Sequence, residues 1–374
     1  MDKLTELYAK TVAQFLSPIS HLLQDPSVSE VLINGTESIY YEQKGKLHKA
    51  DFVFKDAYAL AAAARNIAQF VGKTVDEINP RCDARLPDGS RVHIIYPPVA
   101  RTGISMAIRK FAKETLTIDK LIGYGAMTLK SKEFMQMCVT LSKNMMVSGG
   151  TSSGKTSLLN ALSAMIDNGE RIITVEDIAE LQLQQDHILR LESRPADKHG
   201  KGAVTIRDLL HSCMRLRPDR IIIGEIRGAE AMDLLMAMTS GHSGSMSTTH
   251  ANTPKDCCNR IETMALMANL GLPSIAIRSQ IASAIDVVVQ AERLHDGSRK
   301  VTSISEMMGI GDDGVYDLRD IFKFKMAGMD KTGKVFGILT PTGYIPSFME
   351  NIKAFGFKID ESFFKPEPLP KVPD

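Results

Sequence analysis

Apolar residues along this chain change their spacing near residue 125, and the change divides it into two regimes. In the first, short alternating runs interleave with two helical patterns. Leu4, Leu7, Tyr8, Val12, Phe15 and Leu16 recur at helical spacing, and Pro18 marks the approximate end of that segment. DAYALAAAARNIAQFV, residues 56 to 71, is rich in strong helix formers and has Gly72 just past its end. The stretches VLING, SIYYEQKGKLHKA, ARLPDGSRVHIIYPP and GISMAIRKF read as strands, with turns at Lys44-Gly45 and Pro87-Asp88-Gly89. This predicts a smaller α+β domain over residues 1–112. FAKETLTIDKLIGYG breaks both periods, which puts a linker at 113–125.

The second regime, 126–365, alternates buried strands with helices. NMMVSGG is followed by a helix from Lys155, RIITVED by one near Ile206, RIIIGE by one near Glu230, and then comes GSMSTTH. That order predicts an α/β domain with a mostly parallel sheet covered by helices. The proline-rich KPEPLPKVPD is expected to leave a disordered tail, 366–374. Within the sheet, Ile221, Ile222 and Ile223 read as a strand buried on both faces that ends in Gly224 and an acid, Glu225. Parallel strands deliver their C-terminal ends to ligand crevices, so the acid would sit at one. The alternative is that Glu225 merely leaves the core for solvent.

Composition narrows the field. With 44% hydrophobic and 24% charged residues the chain has the make-up of a globular protein. A formal net charge of +1 argues against a general nucleic-acid-coating surface, so no direct nucleic-acid contact is expected. No apolar run is long enough to span a membrane and the first residues lack the core of a signal peptide, so a cytoplasmic location is expected. The five cysteines are scattered with no C-x-x-C pair, and neither a disulfide framework nor a zinc site is implied.

The chemistry concentrates in VSGGTSSGKTSLLNAL, residues 147 to 162. Gly149 and Gly154 bracket four residues, and Lys155 with Thr156 complete G-x-x-x-x-G-K-[ST] between a strand and a helix. Such a loop turns main-chain N–H groups around a phosphate, and the helix N-terminus adds roughly half a positive charge. Gly149, Gly150, Thr151, Ser152, Ser153, Gly154, Lys155, Thr156 and Ser157 are therefore the candidate nucleotide-binding residues, with Lys155 on the β- and γ-phosphates and the Thr156 hydroxyl on Mg2+. A second buried strand leads to Glu176, Asp177 and then Glu180. Either Glu176 or Glu225 could hold the ion through water or activate an attacking water; Asp177 could equally cap a following helix. GHSGSMSTTHANT adds His242 and His250 at a third strand edge, His250 being the better candidate for a γ-phosphate sensor.

GGTSSGKTS, TVEDIAELQL, RLRPDRIIIGEIRG and GHSGSMSTTHANT, in this order, resemble the Walker A loop, Asp box, glutamate-bearing Walker B motif and His box of type II and type IV secretion and pilus ATPases. DARLPDGSRVHIIYPP, SMAIRKF, LRLESRP and GSRKVTSISEMMGI are similar to the CpaF/TadA tight-adherence group. The resemblance runs from about residue 20 to about 365. It implies a RecA-like P-loop domain, a Mg2+-dependent ATPase, a homo-hexameric ring and an inner-membrane platform protein as partner. It also implies catalytic roles for Glu176, Glu225 and His250, and an N-terminal domain that closes over ATP and supplies Arg91 and Arg109. Arg215, Arg217 and Arg227 would act across a subunit interface or simply form surface ion pairs. Ser152 and Ser157 depart from the family's usual glycine and threonine, the zinc insertion of type II relatives is missing, and the long N-terminal extension of many relatives is not seen. A conjugation-type traffic ATPase and a RecA-like nucleic-acid translocase stay open as alternatives. A regulatory GTPase also stays open, although no N-K-x-D guanine-reading motif occurs, and so does a non-enzymatic scaffold that binds ATP only to assemble.

Overall fold

The computed structural model describes residues 10–43, 45–111, 116–196 and 200–373. The chain divides into two compact units, Met1–Glu114 and Thr115–Asp374. Among the described residues no helix is long and apolar enough to cross a membrane.

The first unit is one antiparallel sheet backed by helix. Its strands are β1 (Val28–Asn34), β2 (Ser38–Gln43), β3 (Lys46–Lys49), β4 (Arg81–Arg85), β5 (Arg91–Ile95) and β6 (Ser105–Arg109), in spatial order β3-β2-β1-β6-β5-β4. Alternation decides the buried face: Val31, Ile108 and Val92 stand side by side across β1, β6 and β5, and all three are buried. Helix Ala57–Phe70 buries Leu60, Ala63, Ala64, Ile67 and Ala68 in the same core, and its small residues leave room for close packing. Asp56 caps it by accepting the Ala59 N–H at 2.8 Å. Of the expected N-terminal helical stripe, Val12 and Leu16 are buried, while Leu4, Leu7 and Tyr8 lie outside the described residues, as does Lys44 of the β2–β3 turn.

Among the described residues the second unit carries a nine-stranded sheet. Its strands are β7 (Met145–Gly149), β8 (Ile172–Glu176), β9 (Ile188–Glu192), β10 (Arg220–Ile223), β11 (Met246–His250), β12 (Val287–Arg293), β13 (Arg299–Ile310), β14 (Tyr316–Met329) and β15 (Val335–Pro341). The order is β15-β14-β13-β12-β7-β11-β10-β8-β9. From β12 to β9 all neighbours run parallel, and β13, β14 and β15 extend the sheet as an antiparallel wing. The α/β class and mostly parallel sheet follow the sequence pattern. The wing does not, because its long strands carry bulges that interrupt a clean period of two.

The inner parallel strands β7, β8, β10 and β11 are buried on both faces, whereas β9, at the sheet edge, is half-exposed. Met145, Val147 and Ile222 face a core built with Phe134, Leu158 and Leu162. Met146, Ile221 and Ile223 face a second core built with Leu210, Leu235, Cys257, Ile261 and Ile281. This is why β8 and β10 read as nearly continuous apolar runs, while β11 buries Ser247, Thr248 and Thr249. Residues 118–123, assigned from sequence to the linker, form a short helix within the second unit, Ile118–Gly123, capped by Thr117. Residues 112–115 lie outside the described ones. Among the described residues the proline-rich end carries no helix or strand beyond Phe364, yet the Glu367 N–H donates to Thr340 Oγ1 at 2.6 Å and its carboxylate meets Lys130 Nζ at 3.2 Å.

Candidate nucleotide site

The glycine loop joins β7, in the centre of the sheet, to helix Lys155–Ser163. Gly149 ends the strand wedged against its neighbour: a Cβ there would stand 2.2 Å from the Ala291 carbonyl oxygen of β12. Gly154 caps the helix at φ +90°, a conformation open to glycine and costly for other residues. Between them Ser152 takes φ +58°, left-handed in spite of its side chain. Ser153 Oγ and Lys155 Nζ both donate to the Gly150 carbonyl, at 2.9 and 2.8 Å, which closes the loop on itself. Lys155 is buried, Thr156 and Ser157 are half-buried in the first turn of the helix, and Thr151 is exposed.

Register brings the other candidates to the same sheet edge. His250 pairs with Gly149 at the C-terminal end of β11, and β10 and β8 follow in order. His250 Nδ1 lies 3.4 Å from Lys155 Nζ, and its Nε2 lies 2.9 Å from Glu225 Oε1, within ion-pair range though without hydrogen-bond alignment. Arg227 Nε donates to Glu225 Oε2 at 2.9 Å and its terminal nitrogen approaches the same oxygen at 2.5 Å. Lys155, His250, Glu225 and Arg227 thus form one continuous polar chain along three strand tips. Arg227, left open in sequence between an interface role and a surface pair, is Glu225's partner two residues away. Burial and then the Lys155 ammonium lower the His250 pKa, with Glu225 opposing them, so the imidazole is held neutral at pH 7.

Glu176 ends β8 and is almost wholly buried, 3% exposed. Burial raises its carboxyl to about 7, while N–H bonds from Glu180 at 2.9 Å and Leu181 at 3.0 Å pull the other way. Its carboxylate lies against Gly224, where an added Cβ would stand 3.2 Å from Oε1. The glycine that ends the isoleucine strand therefore makes room for the acid of the neighbouring strand as well as turning the chain toward Glu225. Asp177 accepts from Ser193 Oγ at 3.0 Å and caps no helix, since the next element is β9. His242 precedes β11 and so stands at the opposite edge of the sheet from Gly149; the expectation that both histidines share one strand edge is corrected by the direction of that strand.

Arg91 and Arg109 belong to the first unit. They are direct register partners on β5 and β6, and Glu30 of β1 is next in the row. All three stand on the face opposite Val92, Ile108 and Val31. Two contacts to the loop escaped the sequence pattern, those of Ala291 and Arg299. Arg299 Nε donates to the Ser152 carbonyl at 2.9 Å. No spacing rule links residues so far apart in sequence, and only the pairing of β12 with β7 and β13 brings them to the loop.

A phosphate-type glycine loop on a central parallel strand, with carboxylates and a histidine at the adjacent strand tips, defines a P-loop nucleotide-binding protein. Comparison with known proteins carries this further. Residues 13–311 match the family described as type II/IV secretion system protein, and the chain belongs to that family. A Mycobacterium tuberculosis protein whose name links it to conjugal transfer is 34% identical over 301 residues, covering 79% of this chain and 84% of its own. VirB11 of the type IV secretion system of Brucella suis is 31% identical over 318 residues, covering 78% of this chain and 88% of its own. Among solved structures, the pilus retraction motor PilT with bound ADP shares the fold with a TM-score of 0.54 at 18% identity, covering 92% of this chain and 86% of that one.

Proposed function

We propose that this protein is an ATP-hydrolysing ring motor of a secretion or pilus system, working at the cytoplasmic face of the inner membrane with a membrane platform protein. The observation that supports it most directly is the row of neighbouring polar side chains from the loop lysine through His250 to Glu225 and Arg227. Lys155 can release the Gly150 carbonyl and turn to a phosphate oxygen, and His250 then feels the change through the nitrogen that faces Lys155. Its other nitrogen faces Glu225, so the presence of a phosphate is passed to the carboxylate that orients water. Glu225 is the residue we assign to polarising water; Glu176, tied down by two backbone N–H groups, holds the Glu180–Leu181 segment against the end of β10.

The donor set fits ATP with Mg2+. Among the described residues no three His, Cys, Asp or Glu gather to hold a metal on their own. A cation that draws most of its oxygens from phosphate and water, with the Thr156 hydroxyl as one protein ligand, suits such a site. Magnesium would supply charge neutralisation at the phosphates when bound. On the family resemblance we also propose that Arg91 and Arg109 act on the triphosphate and that six copies close into a ring.

A tight-adherence pilus is the finer assignment, supported by the texture of DARLPDGSRVHIIYPP and GSRKVTSISEMMGI. The names of the VirB11 and conjugal-transfer relatives favour a second one, a type IV secretion traffic ATPase. Steady-state phosphate release and nucleotide binding test the common core. Lys155→Ala should lose both. Glu225→Gln should keep ATP binding and slow hydrolysis at least about 100-fold, the scale of a lost general base. If Glu176→Gln instead shows the larger loss, the roles of the two acids are reversed; a glutamine variant at either position that turns over like wild type has no part in the chemistry.

A further inference from the structure

The loop's most strained residue is Ser152, with a side chain at φ +58°. Its carbonyl oxygen accepts from Arg299 Nε at 2.9 Å, and the Arg299 side chain lies alongside the loop, its Cδ 3.4 Å from where a Cβ on Gly154 would stand. Arg299 is the first residue of β13, at the root of the antiparallel wing. The other strand of that hairpin, β12, presses its Ala291 carbonyl against Gly149. One hairpin therefore touches the glycine loop at its start and at its middle.

We propose that Arg299 is a positioning residue for nucleotide binding, which holds the 152–153 peptide in the orientation that turns the Ser153 N–H toward a phosphate. The physical link is peptide planarity: C=O and N–H of a trans peptide point in opposite directions, so fixing the Ser152 oxygen on a guanidinium sends the Ser153 N–H to the far side of the loop. A charge-assisted hydrogen bond is stronger than a neutral one and does not depend on the hydroxyl rotor of a serine. It also offsets the intrinsic preference of Ser152 to leave the left-handed region, in which case the peptide would flip and the N–H would be lost to the cradle. The proposal rests on the nucleotide-binding assignment above.

The test is a double-mutant cycle on the full chain, read as the Kd of a fluorescent ATP analogue and as KM and kcat for ATP. Arg299→Ala should raise Kd and KM about tenfold, equivalent to about 1.4 kcal/mol, with kcat within about twofold of wild type. Arg299→Lys should recover part of the loss. Ser152→Gly in the Arg299→Ala background should restore most of it, since glycine enters the left-handed region without penalty. The melting midpoint without nucleotide should be the same in all variants, which separates loop setting from loss of fold. Wild-type affinity in Arg299→Ala would overturn the inference, and so would a loss that Ser152→Gly leaves untouched, because Arg299 would then act by some route other than this peptide. A wild-type chain that binds no nucleotide would instead overturn the functional assignment beneath it.

Discussion

Glu176 shows how a single side chain can be set against the stability of the fold. Its carboxyl is raised from an ordinary value of 4.5 to about 7 by burial, so folding favours the protonated form. Such a group contributes its full stability below pH 4.5 and loses it as the pH climbs to about 7. Glu176→Gln stays neutral and its amide oxygen can still accept from the Glu180 and Leu181 N–H groups. The variant should therefore melt higher than wild type at pH 8.5, by an amount worth about 3 kcal/mol, and should match it near pH 4.5. Equal midpoints at the higher pH would mean that the carboxylate is not desolvated. None of this was legible in sequence: RIITVED gives an acid after a strand, but whether that acid is buried depends on the neighbour being Gly224.

At the scale of elements, strand β10 is anchored where it begins as well as where it ends. Arg220, 3% exposed, donates through its terminal nitrogen to Glu170 at 2.9 Å and to the Val139 carbonyl at 3.1 Å. These bonds hold the start of the strand while its far end delivers Gly224 and Glu225. Arg220→Ala removes a buried charge and leaves the Val139 oxygen without this donor, so it should cost about 2–3 kcal/mol. A fall of several degrees in the thermal midpoint is expected. An unchanged midpoint would show that the apolar run alone fixes the strand. The sequence announced β10 through its three isoleucines, because a strand buried on both faces favours a continuous apolar run. It did not announce the wing of β13, β14 and β15, whose bulges blur the alternation and whose partners are set by non-local pairing.

For the whole molecule, the proposed ring makes a prediction that a single chain cannot answer. Mass measured by light scattering during size exclusion should approach six times that of the chain when ATP is bound and hydrolysis is blocked by Glu225→Gln. A chain that stays monomeric at every protein and nucleotide concentration would remove the motor interpretation and leave a nucleotide-binding protein. By itself the sequence determined the loop, the buried strands and the acids and histidine that follow them, because phosphate binding demands glycines and a helix start at fixed spacing, and parallel strands demand apolar runs. Only the tertiary structure decided which of these residues meet. Strand order puts β11 between β7 and β10, and so makes His250 the neighbour of both Lys155 and Glu225, and it puts β12 and β13 beside the loop, where Ala291 and Arg299 brace it. Strand order arises from pairings between segments distant along the chain, and local patterns of hydrophobic spacing carry no record of them.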